Sequence, residues 1–228
     1  MDTLHASKAI IRTRIQALRD AMARHQIDAC VVPSADPHLS EYLPGRWQGR
    51  EWLSGFDGSV GTLIVTADFA GLWVDGRYWA QAEAQLAGTG IALMKIQTAA
   101  SAVHIDWLAD NLKAAQVVAV DGAVLGLAGA RLLESGLSAR RIKLRTDCDL
   151  LNEIWSDRPT LPMAAVFEHI APHACLSRAA KLGALRDAMR AAGAQWHFIS
   201  TLDDIAYLFN LRGSDVSYNP IFVAHALI

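Results

Sequence analysis

His169, His173 and Cys175 fall within seven residues and offer the nitrogen and sulfur donors of a zinc site. Pro172 stands between the two histidines, and a pair four apart shares a helix face only where the helix is unbroken, so the segment reads as a linker with incidental histidines. Neither a second ligand cluster nor a His-Glu-x-x-His motif accompanies it. Gly55, Gly58 and Gly61 recur every third residue within Ser54-Gly55-Phe56-Asp57-Gly58-Ser59-Val60-Gly61-Thr62, a spacing that suggests a phosphate cradle. Such a cradle needs a strand before it and a helix N-terminus after it, because the amides and dipole of that helix hold the anion. Here an apolar strand, Thr62 to Thr66, follows instead. Ser59 is no nucleophile elbow, since the residue two before it is Asp57 rather than glycine. The glycines predict a tight backbone path with positive φ angles, in the kind of loop where ligand contacts also collect. Asp75-Gly76-Arg77-Tyr78 directly follows a strand and projects an acid and a base from the end of a sheet element. Those two charges either pair with one another or are presented to a ligand. Asp203, Asp204 and Asp215 lack histidine partners and the spacing of a metal cage. Residue chemistry alone therefore supplies no nucleophile, no acid-base pair and no metal site.

The elements that must position these residues follow from periodicity. Ile10, Ile11, Ile15, Leu18 and Met22 fall at helical spacing and predict an amphipathic helix over residues 8 to 24, leading into a strand at Ala29 to Val32. Thr62 to Thr66 and Leu72 to Asp75 read as an antiparallel hairpin. Then come a helix over Tyr78 to Leu86, an extended stretch Ile91 to Ile96, a helix over Val103 to Leu112 and a strand Val117 to Val120. A helix over Leu127 to Leu133, a strand Ile142 to Leu144 and a helix over Leu150 to Trp155 close the series. Helices alternating with strands around one hairpin predict an α/β fold, a mixed β-sheet flanked by helices. Asp157-Arg158-Pro159-Thr160-Leu161-Pro162 marks a boundary, because each proline biases its predecessor to extended backbone. Ser177 is placed to N-cap the next helix.

Composition narrows the function. The 228 residues are 52% hydrophobic and 19% charged, enough for one full core and part of another. A net charge of −2 leaves no electrostatic footprint for nucleic acid or an anionic membrane. The densest basic segment, Arg140, Arg141, Lys143 and Arg145, alternates with Ile142 and Leu144 and predicts a half-buried strand with a solvated basic face. No apolar run approaches the ~18 residues of a membrane span. The N-terminus, with Asp2, His5, Lys8, Arg12 and Arg14, lacks the apolar core of a signal peptide. Three cysteines, Cys30, Cys148 and Cys175, are an odd number at unrelated spacings, which argues for reduced thiols and a cytoplasmic location.

The chain also repeats itself. Ala17-Leu18-Arg19-Asp20-Ala21-Met22 returns letter for letter as Ala184-Leu185-Arg186-Asp187-Ala188-Met189. After the first copy come Ala29 to Val32, Tyr42-Leu43, Leu53 to Asp57 and Thr62 to Val65; after the second come Trp196 to Ile199, Tyr207-Leu208, Leu211 to Asp215 and Pro220 to Val223. The expectation is a duplicated domain whose second copy is incomplete. Its last apolar run would then be an open strand edge, prone to self-association or poor order over about 218 to 228.

Three motifs carry a family resemblance: Pro33-Ser34-Ala35-Asp36-Pro37-His38-Leu39-Ser40-Glu41-Tyr42, the Ser54 to Thr62 loop, and Trp73-Val74-Asp75-Gly76-Arg77-Tyr78. Together they resemble the N-terminal domain of cytosolic Xaa-Pro aminopeptidases (aminopeptidase P). Leu150 to Pro159 resembles that family's link between its first two domains, and Thr201 to Val216 resembles its second domain. The resemblance implies two creatinase-type N-terminal domains, 1–158 and an incomplete 159–228, ahead of a C-terminal "pita-bread" metallopeptidase domain absent from this sequence. In the family that last domain binds a pair of divalent metals, usually manganese, through two Asp, one His and two Glu, and acts on the bond before proline in peptides. This chain is accordingly expected to hold no cofactor and no catalytic residue. By resemblance it would serve homo-oligomerisation and substrate access, with Arg50, Phe56, Asp57 and Arg77 near the mouth of a partner subunit's active site. Proline-containing peptides would be the substrates of the parent enzyme. Two rival readings keep the fold: a stand-alone interaction module using the Ser54 to Thr62 loop, and a parent acting in creatine hydrolysis or dipeptide cleavage. The loop and the Asp75 to Tyr78 turn resemble the aminopeptidase branch more.

Overall fold

Helix α1 (Lys8–Arg24) begins where Ser7 accepts a hydrogen bond from the Ile10 amide at 3.4 Å. Ile11, Ile15, Leu18 and Met22 form its buried line, four, three and four residues apart. Ile10, one residue off that line and so about 100° away around the axis, is turned to solvent rather than into the core. The computed structural model describes residues 7–98 and 102–228, so Asp2 and His5 lie outside it. Two compact units are distinguished: residues up to Pro37 together with Arg46–Arg158, and His38–Gly45 together with Pro159–Ile228.

The first unit is built on six strands, β1 (Ala29–Pro33), β2 (Thr62–Thr66), β3 (Ala70–Val74), β4 (Ala92–Lys95), β5 (Val117–Val120) and β6 (Lys143–Arg145), in the order β4-β3-β2-β1-β5-β6. Strand β2 alone runs against the other five: β1 pairs with it antiparallel, Val31 opposite Ile64, and pairs with β5 in parallel, Val31 opposite Val120. Five further helices follow in chain order: α2 (Gly49–Ser54), α3 (Trp79–Leu86), α4 (Val103–Asn111), α5 (Leu127–Ser138) and α6 (Leu151–Ile154). Side chains of successive strand residues go to opposite faces. Cys30, Val32, Leu63, Val65, Leu72 and Val74 pack with α1 and α3, while Ala29, Val31, Ile64, Trp73, Val118 and Val120 pack with α4 and α5. Burial on both faces is why these strands read as continuous apolar runs instead of alternating ones. The basic segment meets expectation only in part, since Lys143 to Arg145 form β6 beside a buried Ile142. Arg140 and Arg141 lie in the turn before β6, Arg141 with φ +57°, and Arg140 pairs with Asp110 at 3.0 Å.

In the second unit β7 (Phe167–Glu168) pairs with β9 (Leu211–Arg212), and β8 (Phe198–Ile199) follows α7 (Arg178–Ala191). Ser177 caps α7, accepting from Ala180 N at 3.2 Å. The helix-then-strand order of α1 and β1 thus recurs, although β8 is shorter than the expected Trp196 to Ile199. Helix α8 (Leu202–Phe209) ends at Asn210 in the left-handed region, φ +50°. The expected open strand at Pro220 to Val223 is not formed. Ile221 and Phe222 turn into the core with Ile199, Leu202 and Ile205, and Asp215 Oδ2 accepts from Val223 N at 2.8 Å. The strand comes later, as β10 (Ala226–Leu227), which pairs antiparallel with β8; His197 and Ile228 extend the ladder through bonds of 3.1 and 3.0 Å.

The two copies of the repeated hexapeptide are buried unequally: Leu18 is 0% exposed, whereas no residue of α7 is fully buried. Leu18→Ala should therefore cost about 2–5 kcal/mol. Leu185→Ala should cost only about 1 kcal/mol, since part of its apolar area already faces water. Urea titration of the two variants followed by circular dichroism checks the order; equal losses would contradict this account of the core.

Candidate functional site

Because β2 runs against its neighbours, its first residue lies beside the last residues of β1 and β3: Thr62 pairs with Pro33 on one side and Trp73 on the other. The loop entering β2 and the turn leaving β3 are thereby brought to one end of the sheet, with no long connection needed. Helix α2, which the sequence pattern of six residues did not reveal, delivers the chain into that loop and ends at Gly55, φ +71°.

Arg50, on α2, is buried, 6% exposed. Its guanidinium donates to the carbonyl of Phe56 at 2.8 Å and to that of Gly58, and lies over the Phe56 ring at 4.9 Å. Burial pulls its pKa down to about 10, opposed by the nearby carboxylates of Glu51 and Asp57, so it remains a cation at neutral pH. Its Nε has no hydrogen-bond partner. Ser54 Oγ donates to the Arg50 carbonyl at 2.7 Å and accepts from Phe56 N at 3.1 Å. Phe56 is fully buried and meets Tyr78 edge-on at 5.8 Å, while the Tyr78 and Ser59 hydroxyls bond at 2.7 Å.

Of the three glycines only Gly55 has positive φ, which corrects the expectation for the other two. Gly58 is required by crowding instead: a Cβ there would stand 2.3 Å from Phe56 Cζ and 2.8 Å from Tyr78 Cδ1.

Asp57 is exposed, yet held. Gln81 and Gln85, one turn apart on α3, both donate to its Oδ1, at 2.5 and 2.8 Å, and Gln85 Oε1 accepts from Asp57 N at 3.3 Å. In the neighbouring turn the open choice for Asp75 and Arg77 is resolved: they pair. Arg77 Nε and Nη2 fork the Asp75 carboxylate at 3.0 and 2.8 Å, and Arg77 N adds a third bond at 3.1 Å. Hydrogen bonding from Arg77 holds Asp75 below the usual carboxylate range, against the upward pull of its burial. Asp75 is 4% exposed, whereas the Arg77 side chain is 61% exposed, so the turn presents the cation and hides the acid. A cavity of about 120 Å³ beside this turn is lined by Ser34, Val60, Gly61, Thr62 and Asp75 among others.

The four residues predicted as a site therefore belong to one cluster but do different things: Arg50 and Phe56 form its interior, Asp57 and Arg77 its exposed points. Tyr78, Gln81 and Gln85 complete it, and only the i, i+4 spacing of the two glutamines hinted at a shared helix face. The other motifs stay apart. His169 and His173 stack at 5.8 Å with no helix between them. Among the described residues no three His, Cys, Asp or Glu side chains converge as metal ligands. Also among them, no helix is long and apolar enough to cross a membrane.

Two outcomes follow. Gly58→Ala should cost about 1–3 kcal/mol through overpacking, whereas Gly183→Ala, with nothing within 4 Å of its Cβ, should stabilise α7 by about 0.5–1 kcal/mol. The thermal midpoints of the two variants should move in opposite directions. Secondly, the folded pKa of Asp75 lies below its unfolded value, so the stability it contributes is present above the unfolded value and is lost as pH falls through the folded one. Arg77→Gln should raise the Asp75 pKa and weaken that acid-side dependence, as read by carboxyl NMR titration; an unchanged titration would show that the fork is not the cause.

Comparison with known proteins places this geometry. Residues 14–153 match the family model described as creatinase/prolidase N-terminal domain, and residues 157–228 match a second model of the same description. A probable Xaa-Pro aminopeptidase P of Aspergillus niger is 38% identical over 230 residues, covering 100% of this chain and 36% of the relative. Aminopeptidase P1 of Lotus japonicus is 38% identical over 94% of this chain and 32% of its own length. The chain thus spans about a third of the length of the curated relatives it matches. Among solved structures, the X-prolyl aminopeptidase of Caenorhabditis elegans, described as a cytosolic enzyme with a di-nuclear active site, superposes with a TM-score of 0.88 at 29% identity over 98% of this chain and 38% of that one. With more than half of its length matched by one family model, the chain belongs to the creatinase/prolidase N-terminal domain family, and corresponds to that region of Xaa-Pro aminopeptidase homologues.

Proposed function

We propose that this chain is the non-catalytic N-terminal region of a cytoplasmic Xaa-Pro aminopeptidase, a peptidase that removes an N-terminal residue preceding proline. In this reading residues 1–158 and 159–228 are successive creatinase-type domains. A pair of divalent metals, manganese by family resemblance, belongs to a peptidase portion outside this sequence. The chain's own part is homodimerisation and control of substrate access. The observation that carries the reading is the loop after α2: it is pinned from inside by Arg50 and Phe56 while Asp57 and, from the adjacent turn, Arg77 remain exposed. Exposed charges on a loop held in one shape suit contact with a passing peptide. Arg50 and Phe56 act on access through the shape they impose on that loop, and Asp57 and Arg77 through direct contact.

The purified 228-residue chain should neither cleave a Xaa-Pro peptide in the presence of manganese nor bind manganese tightly, because metal catalysis needs several convergent carboxylates and a histidine. Product release measured by chromatography tests this. Turnover that copurifies with the chain and scales with its concentration would overturn the assignment of catalysis elsewhere.

A further inference from the structure

Asp57 sits between two residues, Phe56 and Gly58, whose carbonyls are both drawn inward to the buried Arg50 guanidinium. With its peptide neighbours anchored below, the side chain of Asp57 is directed outward. There the Gln85 amide closes a two-point ring on it, donating to Oδ1 and accepting from the backbone amide, and Gln81 adds a second bond to the same oxygen. No described residue donates to Oδ2, and Asp57 is exposed, so that oxygen is left for a partner.

An exposed aspartate ordinarily samples several rotamers, and two long glutamine side chains lose much freedom when fixed at a surface. Exposed hydrogen bonds of this kind return little net stability. What the arrangement yields is a carboxylate at one position with its free oxygen outward, and position is what recognition of a charged partner requires. The Asp57 charge also favours the protonated state of Arg50, the residue that anchors the loop.

We propose that Asp57 is a preorganised anionic contact that selects peptides carrying a basic side chain, whose ammonium or guanidinium takes the free Oδ2. This rests on the reading of the loop as a substrate-access element and adds the charge class of the substrate. Arg77, exposed in the adjacent turn, disfavours a second cation there, so a single basic residue flanked by neutral ones fits best.

The test uses the 228-residue chain and three amidated peptides, Ala-Pro-Ala-Arg-Ala and its Gln and Glu counterparts, titrated while the backbone amide signals are followed by NMR. The Arg peptide should shift Asp57 and Ser59 and bind about three- to fivefold tighter than the Gln peptide, the range of a well-placed exposed ion pair. The Glu peptide should bind weaker than either, and 0.5 M salt should erase the differences. Asp57→Asn should bring the three affinities together, while Gln81→Ala with Gln85→Ala should shrink the preference by freeing the carboxylate. Peptides that shift the loop signals with equal affinities would overturn the charge preference and leave the access reading standing. Peptides that leave the loop signals unmoved would overturn both.

Discussion

Strand β1 carries the constraint on which the first unit depends: it must pair antiparallel on one side and parallel on the other while offering apolar side chains to both faces. A short, fully apolar segment meets that demand, and Ala29-Cys30-Val31-Val32 does so with every residue buried. The reversed β2 beside it then begins where β1 and β3 end, at one end of the sheet. Everything in the candidate site descends from that reversal. A parallel β2 would need a crossover connection and would place the loop before it at the opposite end of the sheet.

The Arg50 cluster shows how a polar group can be structural in a loop too short for a core of its own. A buried guanidinium is costly unless its donors are used, and here two of them take carbonyls that no helix or strand could satisfy. The aromatic face of Phe56 covers the cation, Tyr78 covers Phe56, and Gly58 leaves room for both rings. Specificity of shape is obtained from three contacts of different kinds within a few residues.

Much of this architecture is legible in the chain, because burial imposes period and period is visible. The spacing of Ile11, Ile15, Leu18 and Met22 announces α1, and the apolar runs around Val31, Ile64 and Leu72 announce strands. Short elements are not announced. Helix α2 has only six residues, of which Gly49, Arg50, Leu53 and Ser54 are all buried, so its inward face shows no contrast of apolar against polar. Pro220 to Val223 misleads for the opposite reason: Ile221 and Phe222 are apolar because a core receives them, and burial without ladder hydrogen bonds is indistinguishable from a strand in sequence. At the site, the motif spanning Gly55 to Gly61 is conspicuous, but its partners lie on α3 more than twenty residues on, where a pair of glutamines has the look of ordinary helix surface.

The three cysteines end up in three distinct environments, and that difference has a practical use. Cys30 is enclosed in the sheet, with burial pushing its thiol up to about 12, Cys148 is half-buried with its thiol also raised by desolvation, and Cys175 is exposed in the second unit. Only thiolate reacts with a maleimide or iodoacetamide. One wild-type polypeptide thus contains an addressable handle on one unit and a concealed one within the other. A fluorophore can be placed at Cys175 without engineering, and alkylation at Cys30, counted by mass spectrometry, becomes a clock for the opening of the six-stranded sheet.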